Sequence, residues 1–372
     1  VIETMQASAR RLDSIQALRG LAVLLVMLRH VLVFTTGDRG ATMTRRDFLL
    51  VGDGGVDIFF VVSGFVMVLV SRKRFGQVRE AVRFGYARIA RIFPLYWCYT
   101  AGLFVVYEAA PQLLNRLRTG GSIAVLPSFL LLPQSRLPLI GQGWSLVHEL
   151  YFYAVFALFL LVPRERLLPI LLTGWAVVVL VANVPPIGFD PDTATAPALG
   201  VALHPLTLEF IAGAFIALVL LSDRAKTNVS RCAFAGAAGF IAVGLLQAFR
   251  WHELIGDWRR VILFGLPGTL LVLGTVSAEL RHRWRFPAAL VRLGDVSYSI
   301  YLSHVIVLGG IGYLGPKVTN PAGQVVLGAV MMSAAIIVGI VSYQLLEQPL
   351  LRLTGRISPR RQPSSGSAAP AS

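Results

Sequence analysis

The chain has 372 residues, 55% of them hydrophobic and only 14% charged. Globular chains carry about 25% charged residues, so this is the composition of an integral membrane protein, and it leaves no polar stretch long enough for a separate soluble domain. A net charge of +15 would point to nucleic acid in a soluble chain; here the loops account for it, and no nucleic-acid partner is expected.

Apolar runs predict an all-α bundle of about ten transmembrane helices, near 15–35, 55–71, 92–110, 146–163, 167–184, 204–222, 232–249, 260–278, 294–313 and 323–345. Residues 1–14 read as an N-terminal segment, 15–350 as the membrane domain, and 351–372 as a tail with the Pro/Ser/Ala bias of disorder. The first run is too long for a cleavable signal peptide and lacks a small-residue cleavage pattern. Cys98 and Cys232 sit in apolar runs without metal-like spacing, so neither a disulfide framework nor a metal site is expected.

The first span, IQALRGLAVLLVMLRHVLVF, contains Arg19, Arg29 and His30. Ionisable groups at such depth cost about 2.5–3.5 kcal/mol each on insertion scales, and they persist mainly where something uses them. Eleven residues make about three turns, so Arg19 and His30 share one face roughly 16 Å apart. The second span opens on GDGGVDIFFVVSGFVM, where Asp57 is placed to cap the helix or to pair with an intramembrane arginine, and Ser63–Gly64 allows close helix packing. The segment before the third span is the most basic in the chain. Arg88 and Arg91 lie at i, i+3, with Arg83 earlier, and on charge alone both a phosphate site and a lipid-headgroup anchor fit them.

The fourth span carries Glu149 among Leu, Tyr and Phe, next to His148. A buried carboxylate usually has a partner, and Arg19, Arg29 and His30 are the candidates. The ninth holds GDVSYSIYLSH; its stripe of Ser297, Tyr298, Ser299, Tyr301 and Ser303, ending at His304, is too polar for lipid and is expected to line the bundle interior or a wet cavity. With the N-terminus inside, the inner segments hold 22 Lys and Arg against 10 in the outer ones, so both termini are expected in the cytoplasm.

Together and in order, SIQALRGLAVLLVMLRH, GGVDIFFVVSGFVM, YARIARIFPLYW, GWSLVHELYFY, LEFIAGAFIA, LGDVSYSIYLSH and LLEQPL resemble the membrane acyltransferase-3 family of bacterial O-acyltransferases. The SIQALRG form is similar to the branch that decorates exopolysaccharides such as succinoglycan, and to its Nod-factor relatives. The family's arginine-x10-histidine pair falls on Arg19 and His30, its R-x-x-R on Arg88 and Arg91, and its tryptophan-to-glutamate motif on Trp144 through Glu149. Many members have aspartate where this chain has Gln16, and His148 stands where many have a small or apolar residue.

The resemblance implies transfer of an acyl group, usually acetyl, from acyl-CoA to a sugar hydroxyl, in the bacterial inner membrane and with no permanently bound cofactor. His30 is then expected as the general base, or as a transiently acylated carrier, with Glu149 orienting it or stabilising its charged form and Arg19 holding donor phosphate or offsetting the oxyanion. Arg88 and Arg91 would bind acyl-CoA. Asp57, Trp144, Tyr153, Ser297, Tyr301 and His304 would support the cavity. A transporter or flippase for a lipid-linked saccharide is the alternative from another class, since intramembrane charges suit a pathway equally well. An acyltransferase for a non-saccharide acceptor is the third.

Overall fold

The computed structural model describes residues 12–36, 51–111, 124–184, 196–222, 229–248, 257–281, 284–315, 318 and 320–357. The described residues form helices joined by turns and loops, without a strand among them. We number the helices α1 (Asp13–Thr36), α2 (Gly54–Ser71), α3 (Val78–Ala109), α4 (Val125–Leu130), α5 (Gly143–Phe159), α6 (Leu168–Asn183), α7 (Pro197–Ala202), α8 (Thr207–Leu220), α9 (Cys232–Ala248), α10 (Leu266–Leu280), α11 (Ala288–Asp295), α12 (Ser297–Leu314), α13 (Pro321–Ser342) and α14 (Gln348–Ile357). A short helix, Asp257–Arg260, and a π-helical turn, Val261–Gly265, lead into α10; a second π-helical turn, Tyr343–Glu347, joins α13 to α14.

Every expected span coincides with a helix. Among the described residues seven helical stretches are long and apolar enough to cross a membrane, and an eighth is formed if α11 and α12, bent by 75° at their junction, count as one. The two remaining spans fall on the shorter apolar helices α5 and α9, of 17 residues each. The chain is thus a multi-pass membrane protein.

Two segments extend further than their hydropathy indicates. α3 begins at Val78, because VREAVRFGYARIARI is rich in good helix formers with no proline and only Gly85 to weaken it, and the Glu80–Arg83 pair, 3.6 Å apart, braces its first turns. Its 32 residues measure about 48 Å, more than the roughly 30 Å apolar layer, so part of the helix stands outside that layer. The expected disordered tail starts as α14, which runs to Ile357; residues 358–372 lie outside the described residues.

Hydrophobic burial does not drive helices together within lipid, so small residues that let backbones approach do much of that work. A Cβ at Gly64 would collide with Phe210 O, and one at Gly213 with Val61 O, which fixes α2 against α8. Gly294 against Gln16 O likewise seats α11 on α1.

Loop hydrogen bonds sort the helix ends. At one end Asp13 N and Ser14 N donate to Glu279 (2.9 and 2.8 Å), Gly76 N to Leu160 O (2.8 Å), and Tyr86 OH to Thr354 O (3.1 Å). These contacts join segments that the charge count assigns to the same side. Arg29–Asp53 (3.1 Å) and Arg260–Asp57 (2.9 Å) tie helices together at the opposite end.

Candidate active site

Five helices surround a polar cavity with about 860 Å³ of empty space out to its mouth. α1 contributes Arg19, α2 Ser63, α3 Arg88 and Arg91, α5 Ser145, Glu149 and Tyr153, and α12 Ser297, Tyr298 and Tyr301. Five segments far apart in the sequence therefore bring their motif residues to one place.

Glu149 accepts hydrogen bonds from Ser63 Oγ (3.0 Å) and Tyr153 OH, both on Oε1. Tyr153 lies one helical turn beyond Glu149 on α5, so the same face of the helix presents carboxylate and phenol. The three arginines are held differently. Arg19 donates to Gln16 Oε1 at 3.2 Å, a neutral acceptor at the position where aspartate was the family expectation. Arg91 Nη1 lies 3.9 Å from Oε1 of the buried Glu347, whose other oxygen accepts from Ser299 at 2.6 Å. The Arg88 guanidinium lies over the rings of Phe84 (5.2 Å) and Tyr153 (5.5 Å), and its Nε has no hydrogen-bond partner among the described residues. Aromatic faces attract a cation without engaging its N–H groups, which leaves them for a phosphate.

His30 and His304 stand outside the cavity wall and meet edge to face, ring centroids 4.9 Å apart. His30 Nδ1 lies 2.9 Å from Val26 O, and His304 Nδ1 lies 2.7 Å from Tyr301 O. A carbonyl only accepts, so in each neutral ring Nδ1 carries the proton and Nε2 keeps its lone pair. His304 Nε2 is buried and has no hydrogen-bond partner among the described residues. Tyr301 connects this pair to the cavity: its ring is 5.8 Å from that of His304, and its hydroxyl shares a 2.6 Å hydrogen bond with Ser145.

Several expectations need correction. Glu149 is hydrogen-bonded by Ser63 and Tyr153 rather than by His30, since it sits beside Arg19 near one end of α1 and His30 is three turns further along. Asp57, Trp144 and His304 do not line the cavity. The arginine partner of Asp57 is Arg260, from a segment counted among the outer loops, which grips both carboxylate oxygens at 3.1 and 2.9 Å. Trp144 lies under that same guanidinium, 5.2 Å from it, and His148 packs on Trp144 and on His204. Ser63 and Glu347 belong to the site or its support and were not singled out as such in the sequence, whereas Tyr298 comes from the stripe expected to line a cavity. Glu347 had a signal, a carboxylate inside the LLEQPL match at the end of an apolar run.

A membrane bundle with a cationic cavity, a hydrogen-bonded carboxylate and two imidazoles packed edge to face fits an integral-membrane group-transfer protein. The sequence profile of an acyltransferase domain matches residues 12–343, and the chain belongs to that family, acyltransferase-3, whose members are membrane O-acyltransferases. The exopolysaccharide production protein ExoZ of Rhizobium meliloti is 33% identical over 310 residues, covering 81% of this chain and 90% of its own length. The acyltransferase MdmB of Streptomyces mycarofaciens is 29% identical over 392 aligned positions, covering 94% of each chain. Protein 2 in the picA locus of Rhizobium radiobacter is 29% identical over 171 residues, 41% of this chain and 84% of its own. No solved structure matches the chain.

Proposed function

We propose that this enzyme moves an acyl group, acetyl in the simplest case, from acyl-CoA to a hydroxyl of an exported saccharide, an exopolysaccharide or similar glycan. In this reading it crosses the bacterial cytoplasmic membrane ten times with both termini inside. Helices at all ten expected positions, the excess of Lys and Arg on one side, and the pairing of like-sided loops support that topology.

The convergence of Arg19, Arg88 and Arg91 on one cavity with Glu149 carries the proposal. Coenzyme A brings several phosphate charges, and guanidiniums recognise phosphate with forked hydrogen bonds. The arginines lie at the part of the cavity toward the end that the charge count makes cytoplasmic, where acyl-CoA is available, and the cavity extends from there to Val56 and Ser145 near the starts of α2 and α5. Arg19 then acts with Arg88 and Arg91 on the phosphates, because the roughly 16 Å between Arg19 and His30 is too great for one group to serve both the phosphates and the reacting carbonyl. The acyl-bearing arm of the donor runs past Tyr301 toward His30.

There His30 Nε2 accepts the proton of the sugar hydroxyl as its oxygen attacks the thioester carbonyl. The C–O bond forms, the C–S bond breaks, and the departing thiolate takes the proton from the imidazolium. His30 is thus base and then acid, and imidazole is the side chain best matched to both roles near neutral pH. The relationship to ExoZ favours a saccharide acceptor.

The test is purified protein in lipid nanodiscs with acetyl-CoA and a candidate glycan. Release of coenzyme A together with acetylated glycan in the mass spectrum is the expected result. Glycan crossing vesicle membranes unmodified, with no coenzyme A released, would favour the transporter reading instead.

A further inference from the structure

A second polar hollow lies on the other side of α2. Val68 and Arg72 line it, about 140° and 180° around the helix from Ser63, which faces the first cavity. The turn between α5 and α6 adds Arg164 and Arg166, and the end of α8 adds Leu218 and Leu221. About 1350 Å³ of space lies between these walls, out to the open side.

The walls are tied together rather than merely adjacent. Lys73, in the left-handed region at φ 61°, donates its N–H to Glu165 Oε2 at 2.9 Å, and Gly76 N donates to Leu160 O at 2.8 Å. Gly76 has φ 81°, and a Cβ there would press on Pro163 Cα at 3.0 Å, so the α2–α3 turn fits the hairpin only with glycine. Glu165, the one carboxylate in the lining among the described residues, is engaged by that backbone N–H. Among the described residues the guanidiniums of Arg72, Arg164 and Arg166 have neither an ion pair nor a hydrogen bond.

Three guanidiniums at the rim and aliphatic side chains on the floor, at the ends of membrane-spanning helices, fit a ligand with an anionic head and an apolar tail. We infer that this hollow binds an anionic phospholipid, its phosphate between Arg72, Arg164 and Arg166 and an acyl chain along Leu218 and Leu221. Water-soluble phosphate shares the head chemistry, but it would leave the apolar floor uncovered. The site is separate from the acyl-transfer cavity and requires only that the helices span the membrane.

Native mass spectrometry of the purified full chain after exchange with phosphatidylglycerol or phosphatidylcholine tests it. Phosphatidylglycerol should remain bound, phosphatidylcholine should not, and inorganic phosphate should not displace the bound lipid. R72Q/R164Q/R166Q should weaken phosphatidylglycerol retention on the order of a hundredfold, from about fivefold for each surface cation. If that triple variant does not fold, S222E, which puts a carboxylate at an exposed rim position, serves in its place and should also lower retention. The control R285Q/R292Q/R352Q removes the same charge elsewhere at that end of the bundle and should retain lipid. Equal loss in the control would reduce the arginines to diffuse topology anchors and overturn the site. Displacement by inorganic phosphate would overturn the lipid assignment.

Discussion

Arg260 and Arg88 are both guanidiniums inside the helical bundle, and they are held in opposite ways. Arg260 is closed off: it forks onto Asp57 at 3.1 and 2.9 Å, donates to Asp53 O at 3.2 Å and rests on Trp144. Arg88 is held by ring faces, and Arg91 by a carboxylate 3.9 Å away, so most of their donors remain unengaged beside a cavity. A paired arginine stabilises a helix contact; an arginine held on its faces presents its N–H groups to a ligand. The membrane charges of this protein thus divide into a structural set and a set ready for an anion.

Substitutions should separate the two sets. Asp57→Ala leaves the part-buried Arg260 guanidinium without its carboxylate, and the expected cost is about 3 kcal/mol, the low end for a broken buried pair. It should appear as loss of folded protein in thermal melts monitored by size-exclusion chromatography. Arg88→Ala should leave the melting curve near that of wild type while weakening acetyl-CoA binding by roughly 1.5–3 kcal/mol, read by titration calorimetry in nanodiscs. Tyr153→Phe removes one of the hydrogen bonds to Glu149 and should cost about 0.5–1.5 kcal/mol in kcat/KM with folding unchanged. Gln16→Asp is the smallest change: a carboxylate beside Arg19 should compete with donor phosphate and raise KM a few-fold without altering kcat. If Arg88→Ala instead unfolds the protein and Asp57→Ala only weakens the donor, the division is drawn the wrong way round.

The two sets also differ in how readable they were in the sequence. Arg19, Arg88, Arg91 and Glu149 each sit in a local pattern, a charge within an apolar run or an i, i+3 pair, and the structure brings them to one cavity. Helix positions were readable for the same reason, since hydropathy is a local quantity. Asp57–Arg260 spans 203 positions, and Arg260 sits at the edge of an apolar run where charge counting makes it a loop residue. Nothing local names that partner. The His30–His304 contact likewise depends on how α12 packs on α1 after the 75° bend behind it, and periodicity carries no trace of that angle. The length of α3 was hidden by its composition: arginine-rich sequence reads as loop on a hydropathy scale, although arginine is a good helix former.

The central claim is that donor binding and chemistry are separated along α1, with phosphates held at the Arg19 level and the proton moved at His30. Acetyl-CoA affinity and turnover, measured side by side for H30A and R88A/R91A, test it most directly. The account predicts that H30A binds acetyl-CoA as wild type does and transfers nothing, while R88A/R91A loses the affinity. Near-normal turnover in H30A, or unchanged acetyl-CoA affinity in R88A/R91A, would contradict it.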